Sequence, residues 1–282
     1  MLQQHIVPHI GETAAFRYLP ESDRTNRVAA PPPYSNNLQR EAMAVVQRMS
    51  NLNETKKIQV EQFDSKVLIL TAICDAFVNK VMEGCDELDF PPPVEQEILS
   101  VERYAHFLQT IMAVEYDSLI ILIKEKIRYD LVRPTTVIQA MGNRQITTWC
   151  KGDGGVRRFP AADFETYIPV APHSEYVSGS ACIFETVKET VRLYLKRIGI
   201  DDTTNFPIVF PRVPIMQSKV EPGITPMKAI TLQYSNADTM AVEGCNSRLD
   251  GGMNFEGSIP AGQQLCAGIA AIAVEKSFKL YE

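Results

Sequence analysis

Three short pieces of this 282-residue chain combine side chains able to hold an anion. "KIRYDLVRP" leaves six residues between Lys126 and the Arg133-Pro134 pair. "VSGSA" contains the small turn Ser178-Gly179-Ser180. "SRLDGGMNFEG" opens with Ser247 and Arg248 and reaches Asn254 after five more residues. The Ser-Gly-Ser turn offers free backbone N–H groups, and Ile183, Phe184, Val187, Val191, Tyr194, Leu195 and Ile198 then recur at helical spacing. N–H groups at a helix start, with the dipole behind them, favour a phosphate-like ligand. Taken singly, a basic residue near a helix end is an ordinary solvated charge and Ser-Gly-Ser an ordinary turn. Their joint order makes them a candidate site.

Other reactive residue types are sparse. His173, in "APHSEY", is the histidine nearest the turn; His5 and His9 lie in the N-terminal stretch and His106 within a helical pattern. A zinc site needs clustered His and Cys ligands, and the sequence shows none, so no metal site is expected from ligand spacing. The six cysteines are scattered without a C-x-x-C pair. They read as reduced, structural thiols that behave as small hydrophobes.

The elements that must position these residues are mostly helical. Residues 1–37, rich in Pro, Asn, Arg and Thr and ending in "APPPYSNN", read as an extended arm that wraps a surface or a partner. Residues 38–282 form the helical domain. A first helix is expected over "LQREAMAVVQRM", then a long run from Glu54 to about Met82 capped by Asn53. "FPPP" (Phe90–Pro93) interrupts the chain, and the stretch from Val94 to Asp130 is expected as two helical pieces, with Pro134 ending the pattern. Residues 142–175, with Gly, Asp and Pro clusters, read as a long ordered loop, and residues 199–233 as irregular with one short strand around "AITLQY". A Ser235 cap opens a helix towards Cys245, and a last helix starts after Ser258 with Pro260 in its first turn.

Composition narrows the function classes. With 45% hydrophobic and 22% charged residues the chain can bury a sizeable core. A formal charge of −6 argues against nucleic-acid or anionic-membrane partners, which demand a basic face. The longest apolar runs, such as Val67–Phe77 and Leu119–Ile123, read as too short or too interrupted to span a bilayer. "MLQQHIVPHI" lacks the pattern of a secretory signal, so the expectation is an intracellular chain, an organellar one after processing, or a piece of something longer.

In order and spacing, the three pieces resemble the signature of the vanadium-dependent haloperoxidase and type 2 phosphatidic acid phosphatase superfamily: Lys-x6-Arg-Pro, Pro-Ser-Gly-His and Ser-Arg-x5-His. "EKIRYDLVRPTTVIQ" and "FETYIPVAPHSEYVSGSA" are similar to the haloperoxidase-like branch, as is "NETKKIQVEQFDSKV". The resemblance covers residues 53–282 and implies a mainly α helical bundle with long ordered loops and little β. It also implies that Lys126, Arg133 and Arg248 clamp an oxyanion, with the Ser178 hydroxyl, Gly179 N–H and Asn254 completing the cradle. Phosphate, sulfate or vanadate would be the ligand. The mix of ammonium, guanidinium and backbone donors suits such an anion.

The chain departs from the signature at both histidines: Ser180 and Asn254 stand in their places, and Val177 replaces the proline before Ser-Gly. Imidazole has a basic lone pair that can attack phosphorus or bond a metal, whereas an amide nitrogen does not. His173 is the candidate rescue; Cys245 and Glu256, which flank the third piece, read as packing and surface residues. The resemblance therefore implies a pseudoenzyme that keeps an oxyanion pocket and acts as a subunit or scaffold. The alternative is an active haloperoxidase or phosphatase with an altered catalytic set. The branch also carries a helical half ahead of the matching region, so a partner polypeptide or a second copy is expected to cover the corresponding side of the bundle.

Overall fold

The computed structural model describes residues 10, 18–22, 27–30, 32, 38–82, 94–152, 154–200 and 203–281. Its helices begin with Leu38–Met49 (α1), Glu54–Asp64 (α2), Lys66–Met82 (α3), Val94–Tyr129 (α4) and the short Pro134–Gln139 (α5). A hairpin of Gln145–Trp149 (β1) and Val156–Pro160 (β2) follows, then Gly179–Arg197 (α6). Ile208–Val209 (β3) pairs antiparallel with Gln233–Tyr234 (β4), and the chain closes with Ala237–Asp250 (α7), Ser258–Cys266 (α8) and Ile269–Tyr281 (α9). At 58% helix and 7% strand among the described residues, the fold is mainly α with little β.

Helix α6 is the hub, packing on α4, α7, α8 and α9. Its apolar residues serve two clusters: Cys182 joins Trp149, Tyr167 and Tyr176 on one side, and Phe184, Val187 and Tyr194 join Phe63, Phe77 and Phe107 on the other. Burying each such ring stabilises the fold by about 1.5–3 kcal/mol. Phe184 meets Phe63 edge-on at 5.4 Å between ring centroids, which ties α6 to the end of α2.

Two carboxylates of α4 hold described residues of the N-terminal stretch. Leu19 N–H donates to Asp117 Oδ2 (3.1 Å) and Ala29 N–H to Glu125 Oε2 (2.9 Å), so the described parts of residues 1–37 run along α4. Tyr129 and Tyr176 donate their hydroxyls to the carbonyls of Ala29 and Ala30. Tyr18, Leu19 and Ala29 are buried in the core. His5, His9 and the Phe90–Pro93 break lie outside the described residues.

Several local expectations are corrected. The Glu54–Met82 run is two helices, interrupted at Ser65, whose N–H returns to the Gln62 carbonyl (3.2 Å) while its hydroxyl accepts from Leu68 N–H (3.3 Å). Asn53 does cap α2, accepting from Lys56 N–H at 2.9 Å. The Val94–Tyr129 stretch is one continuous helix rather than two pieces. The stretch Ser100–Gln139, which takes in most of α4 and all of α5, is long and apolar enough to cross a membrane by length and composition, and 67% of its most apolar part is buried in the bundle, as for a core helix. The loop over 142–175 contains the β1–β2 hairpin. The cap of α7 is Asn236, not Ser235: Asn236 Oδ1 accepts from Thr239 N–H and Thr239 Oγ1 accepts from Asn236 N–H, a reciprocal capping box. The last helix breaks at Gly268, where φ is +77°, into α8 and α9.

The cysteine expectation also fails in one place. Cys182 and Cys266 are joined in a disulfide across 84 residues of sequence, with 5.3 Å between Cα atoms. Cys74, Cys150 and Cys245 are free.

Candidate anion cavity

The turn that starts α6 is fixed from below. Ser178 N–H donates to the Ser258 carbonyl (3.0 Å), and Gly262 of α8 passes so close to the Ser178 carbonyl that a Cβ there would collide with it. Ser178 itself is the helix cap, its hydroxyl oxygen accepting from Ala181 N–H at 3.4 Å. The N–H groups of Gly179 and Ser180 come next, and a helix cannot satisfy its own first donors. Both residues line a cavity of about 610 Å³.

The same cavity is lined by Lys126, Arg133, Arg248, Asn254 and His173. The structure therefore brings together all the predicted residues except Ser178, which lies behind the wall as a cap. Leu70, Met112, Leu119, Leu122, Ile123 and Ile183 make one apolar wall, and Asp64, Lys66 and Glu115 complete the charged side. Cys245 is buried in the packing, in keeping with its expected role, while Glu256 does not line this cavity.

Within the cavity the basic groups differ in what they can still bond. Lys126 is buried, and its ammonium donates to the carbonyls of Ser174 (2.7 Å), Glu175 (3.0 Å) and Val177 (2.6 Å). An ammonium has three donors, so all are engaged in holding the 174–177 backbone. Burial, then the Arg133 guanidinium, pushes its proton affinity down, while Glu175 works the other way. In this arrangement Lys126 lines the cavity and holds the loop through its backbone carbonyls.

Arg133 donates through Nη1 to the Met253 carbonyl (2.8 Å) and through Nε to the His173 carbonyl (3.2 Å), and its Nη2 lies 3.1 Å from His173 Nδ1. Burial lowers its guanidinium to about 10, with Glu175 raising and Arg248 lowering it. Arg248 reaches Asp64 Oδ1 through both terminal nitrogens at 3.3 Å, but its Nε is buried without a partner among the described residues. Burial again lowers its affinity for the proton, and Asp64 opposes that.

Asn254 lines the cavity, and its amide nitrogen is turned towards Glu175. Its amide nitrogen donates to Glu175 Oε1 (2.8 Å), an acceptor that fixes which end of the amide points there. Glu175 Oε1 also accepts from Phe255 N–H (3.0 Å) and the Ser258 hydroxyl (2.6 Å). Glu175 is fully buried behind the cavity, and sequence reasoning did not single it out although it opens the turn that carries Ser178. Lys66, Asp64 and Glu115 were missed as well, because a charge within a helical run reads as solvated.

Lys66 begins α3, lines the cavity and is exposed to solvent. Its ammonium donates to the Phe63 carbonyl (2.9 Å), lies 3.4 Å from Ser180 Oγ, and sits 5.3 Å above the Phe184 ring. Enclosure by the walls, then Arg248, lowers it to about 7, while Asp64, Glu115 and Cys245 raise it. Water admitted by the cavity restores part of its hydration and works against that shift. Burial raises the Glu115 carboxyl to about 7 against the pull of Lys66.

No group of three His, Cys, Asp or Glu among the described residues could hold a metal ion directly. An anionic metal oxide is a different matter. The unpartnered Arg248 Nε, the Gly179 and Ser180 N–H groups and Lys66 fit the oxygens of an oxyanion such as vanadate. Asn254 does not fit a bond to the metal itself, since its amide nitrogen has no basic lone pair and is turned to Glu175.

Comparison with known proteins places the fold. The chain is similar to a holo-type bacterial vanadium-dependent chloroperoxidase, with a TM-score of 0.84 at 22% identity over 98% of this chain and 56% of that one. The apo-type bacterial chloroperoxidase gives 0.83 at 22% identity, covering 98% and 57%. The first bacterial vanadium-dependent iodoperoxidase gives 0.58 at 16% identity, covering 97% and 58%. The chain thus spans a little over half the length of these structures, and the likeness concerns the fold. No curated protein matches the chain. The family model of the VCPO second helical-bundle domain matches residues 106–282, from the middle of α4 through all three signature pieces, and the chain belongs to that family.

Proposed function

We propose that this protein binds a free oxyanion, phosphate, sulfate or vanadate, in the α6 cavity without a covalent bond, and acts as a non-catalytic subunit or scaffold. The observation that carries the reading is the pairing of the unpartnered Arg248 Nε with an Asn254 amide that is engaged by Glu175. Four basic side chains line the cavity, Lys66, Lys126, Arg133 and Arg248, against the carboxylates of Asp64 and Glu115. Like charges so crowded repel one another unless an anion lies between them. Asn254 hydrogen-bonds but cannot serve as a nucleophile, so covalent catalysis at that position is lost. Exposed apolar residues at the cavity side, Val67 next to Lys66 on α3 and the cavity-lining Met112 on α4, support a covering partner or second copy there.

A second reading, an active vanadium-dependent haloperoxidase or phosphatase with an altered set, is favoured by Lys66, Ser180 and His173 lining the same cavity. Vanadium analysis of protein exposed to vanadate, together with halide-dependent peroxide consumption and phosphatase assays, separates the two. The first reading expects anion binding with neither activity. Turnover by the unaltered chain overturns it, and turnover gained only by Asn254→His supports it.

A further inference from the structure

We propose that Lys66, acting beside Ser180, supplies the ammonium that hydrogen-bonds the oxyanion in the α6 cavity, and that the anion binds together with a proton. The inference rests on the oxyanion reading above and names a residue that the three signature pieces do not contain.

Available donors distinguish the two lysines of the cavity. Lys126 is the lysine of the signature pieces, yet its three N–H groups end on the carbonyls of Ser174, Glu175 and Val177. The Val177 carbonyl has Lys126 as its donor at 2.6 Å, and turning that N–H towards a ligand would leave a buried acceptor unpaired, which costs about 1–3 kcal/mol. Lys66 donates to the Phe63 carbonyl and, at a long 3.4 Å, to Ser180 Oγ, so at least one of its donors remains for a ligand. That second contact puts the ammonium beside the first turn of α6, where the Gly179 and Ser180 N–H groups open. Ser180 Oγ can accept from Lys66 and direct its own proton to an oxyanion. Arg248, with its unpartnered Nε, lines the same space.

The groups facing Lys66 set how it titrates. They are Arg248 and Cys245 from α7, Asp64 from the end of α2, and Glu115 from α4; α6 presents the uncharged Ser180 and Phe184. His173 stands with Arg133 in the same cavity. Without an anion, the ammonium, exposed yet flanked by the cavity walls and sharing that lining with the Arg248 guanidinium, is disfavoured by desolvation and by the like charge. An oxyanion placed between them reverses both effects, so binding near neutral pH draws a proton onto Lys66. Glu115 titrates in the same sense, since its protonation at lower pH removes a repelling charge.

Sulfate is the probe, because it stays a dianion between about pH 6 and about pH 8.5, where lysine lowered from its ordinary range titrates. Calorimetry on the full chain, in two buffers of different ionisation enthalpy, reads affinity and proton uptake together. The unaltered protein is expected to bind more tightly at the lower pH and to take up protons at the higher. Lys66→Met should weaken binding about 10- to 100-fold at low pH, the loss of a charged hydrogen bond. Lys66→Arg should keep the affinity and lose the Lys66 share of proton uptake, because a guanidinium stays charged throughout. Glu115→Gln should keep that share. If Lys66→Met binds like the unaltered protein while Arg248→Met does not, the oxyanion site stands and the role of Lys66 is overturned. Proton uptake unchanged in Lys66→Arg overturns the proton linkage, assigning it to Glu115 or His173. Absence of sulfate binding by the unaltered chain overturns both this proposal and the reading beneath it.

Discussion

Lys57 on α2 and Lys66 on α3 face two charged regions of opposite character. Lys57 belongs to a polar cluster beside the β1–β2 hairpin. Its ammonium donates to both oxygens of Glu221 (3.0 and 2.9 Å) and to the Gly154 carbonyl (2.7 Å), while Glu221 also accepts from Trp149 Nε1 (2.6 Å) and Thr225 Oγ1 (2.5 Å). Nearby, Glu61 accepts from Tyr167, Ser218 and the Lys219 and Val220 N–H groups. Burial pushes the Glu221 carboxyl up, and the hydrogen bonds from Thr225, Lys57 and Trp149 together outweigh it. Every donor of Lys57 has a protein acceptor. The cavity around Lys66 instead gathers several cations, of which Arg248 keeps a buried Nε and Lys66 a donor without a protein acceptor among the described residues. A charged cluster that closes on itself holds a loop, and one left open calls for a ligand.

The largest effect should come from breaking the closed cluster. Lys57→Met leaves Glu221 as a buried carboxylate without its cation, and urea unfolding should report a loss of about 3–5 kcal/mol. Removing the disulfide with Cys182→Ala and Cys266→Ala tests the frame of the open region, since it pins the start of α6 to the end of α8. A loss of about 2–4 kcal/mol is expected by the same measurement, as for a long closed loop. Arg248→Met is the converse of the first variant. In anion-free buffer its stability should stay within about 1 kcal/mol of the unaltered chain, because its partner Asp64 is half exposed and a crowded cation is relieved. The rise in melting temperature that sulfate gives the unaltered chain should disappear. A loss for Arg248→Met as large as that for Lys57→Met would erase the contrast between the regions.

The smallest effect concerns pH. Glu115 is raised in the fold to about 7, so between its ordinary range and about 7 the folded chain holds a proton that the unfolded chain has lost. Stability therefore falls as pH rises through that window. Lys66 is lowered to about 7, so above about 7 the unfolded chain holds the extra proton and stability recovers as pH rises towards the ordinary lysine range. Glu115→Gln should flatten the fall on the acid side and leave the recovery in place, as read from melting temperatures across the two windows.

Much of this was visible in the residue order. The three signature pieces carry Lys, Arg, Gly and Ser at helix ends, where Pro134, Gly179 and the Gly251-Gly252 pair mark the breaks, so their spacing survives folding. What stayed hidden was which donors remain for a ligand. That depends on the backbone path of residues 174–177, whose carbonyls engage Lys126, and no side-chain pattern records it. The disulfide was hidden for a related reason, because 84 residues separate partners that meet only when α6 and α8 pack. The hairpin was more accessible: "QITTW" and "VRRFP" flank "CKGDGG", yet the glycines drew the whole stretch into a loop. The break at Ser65 is marked by neither Gly nor Pro.

That interruption has a geometric outcome for the two residues it separates. Along an unbroken α-helix, positions two apart point about 200° away from each other, so Asp64 and Lys66 would look in nearly opposite directions. With the turn at Ser65, a carboxylate and an amine almost adjacent in sequence both look inward, one steadying the Arg248 guanidinium and the other reaching Ser180. One serine thus gives a single strand of backbone two hands on the same opening.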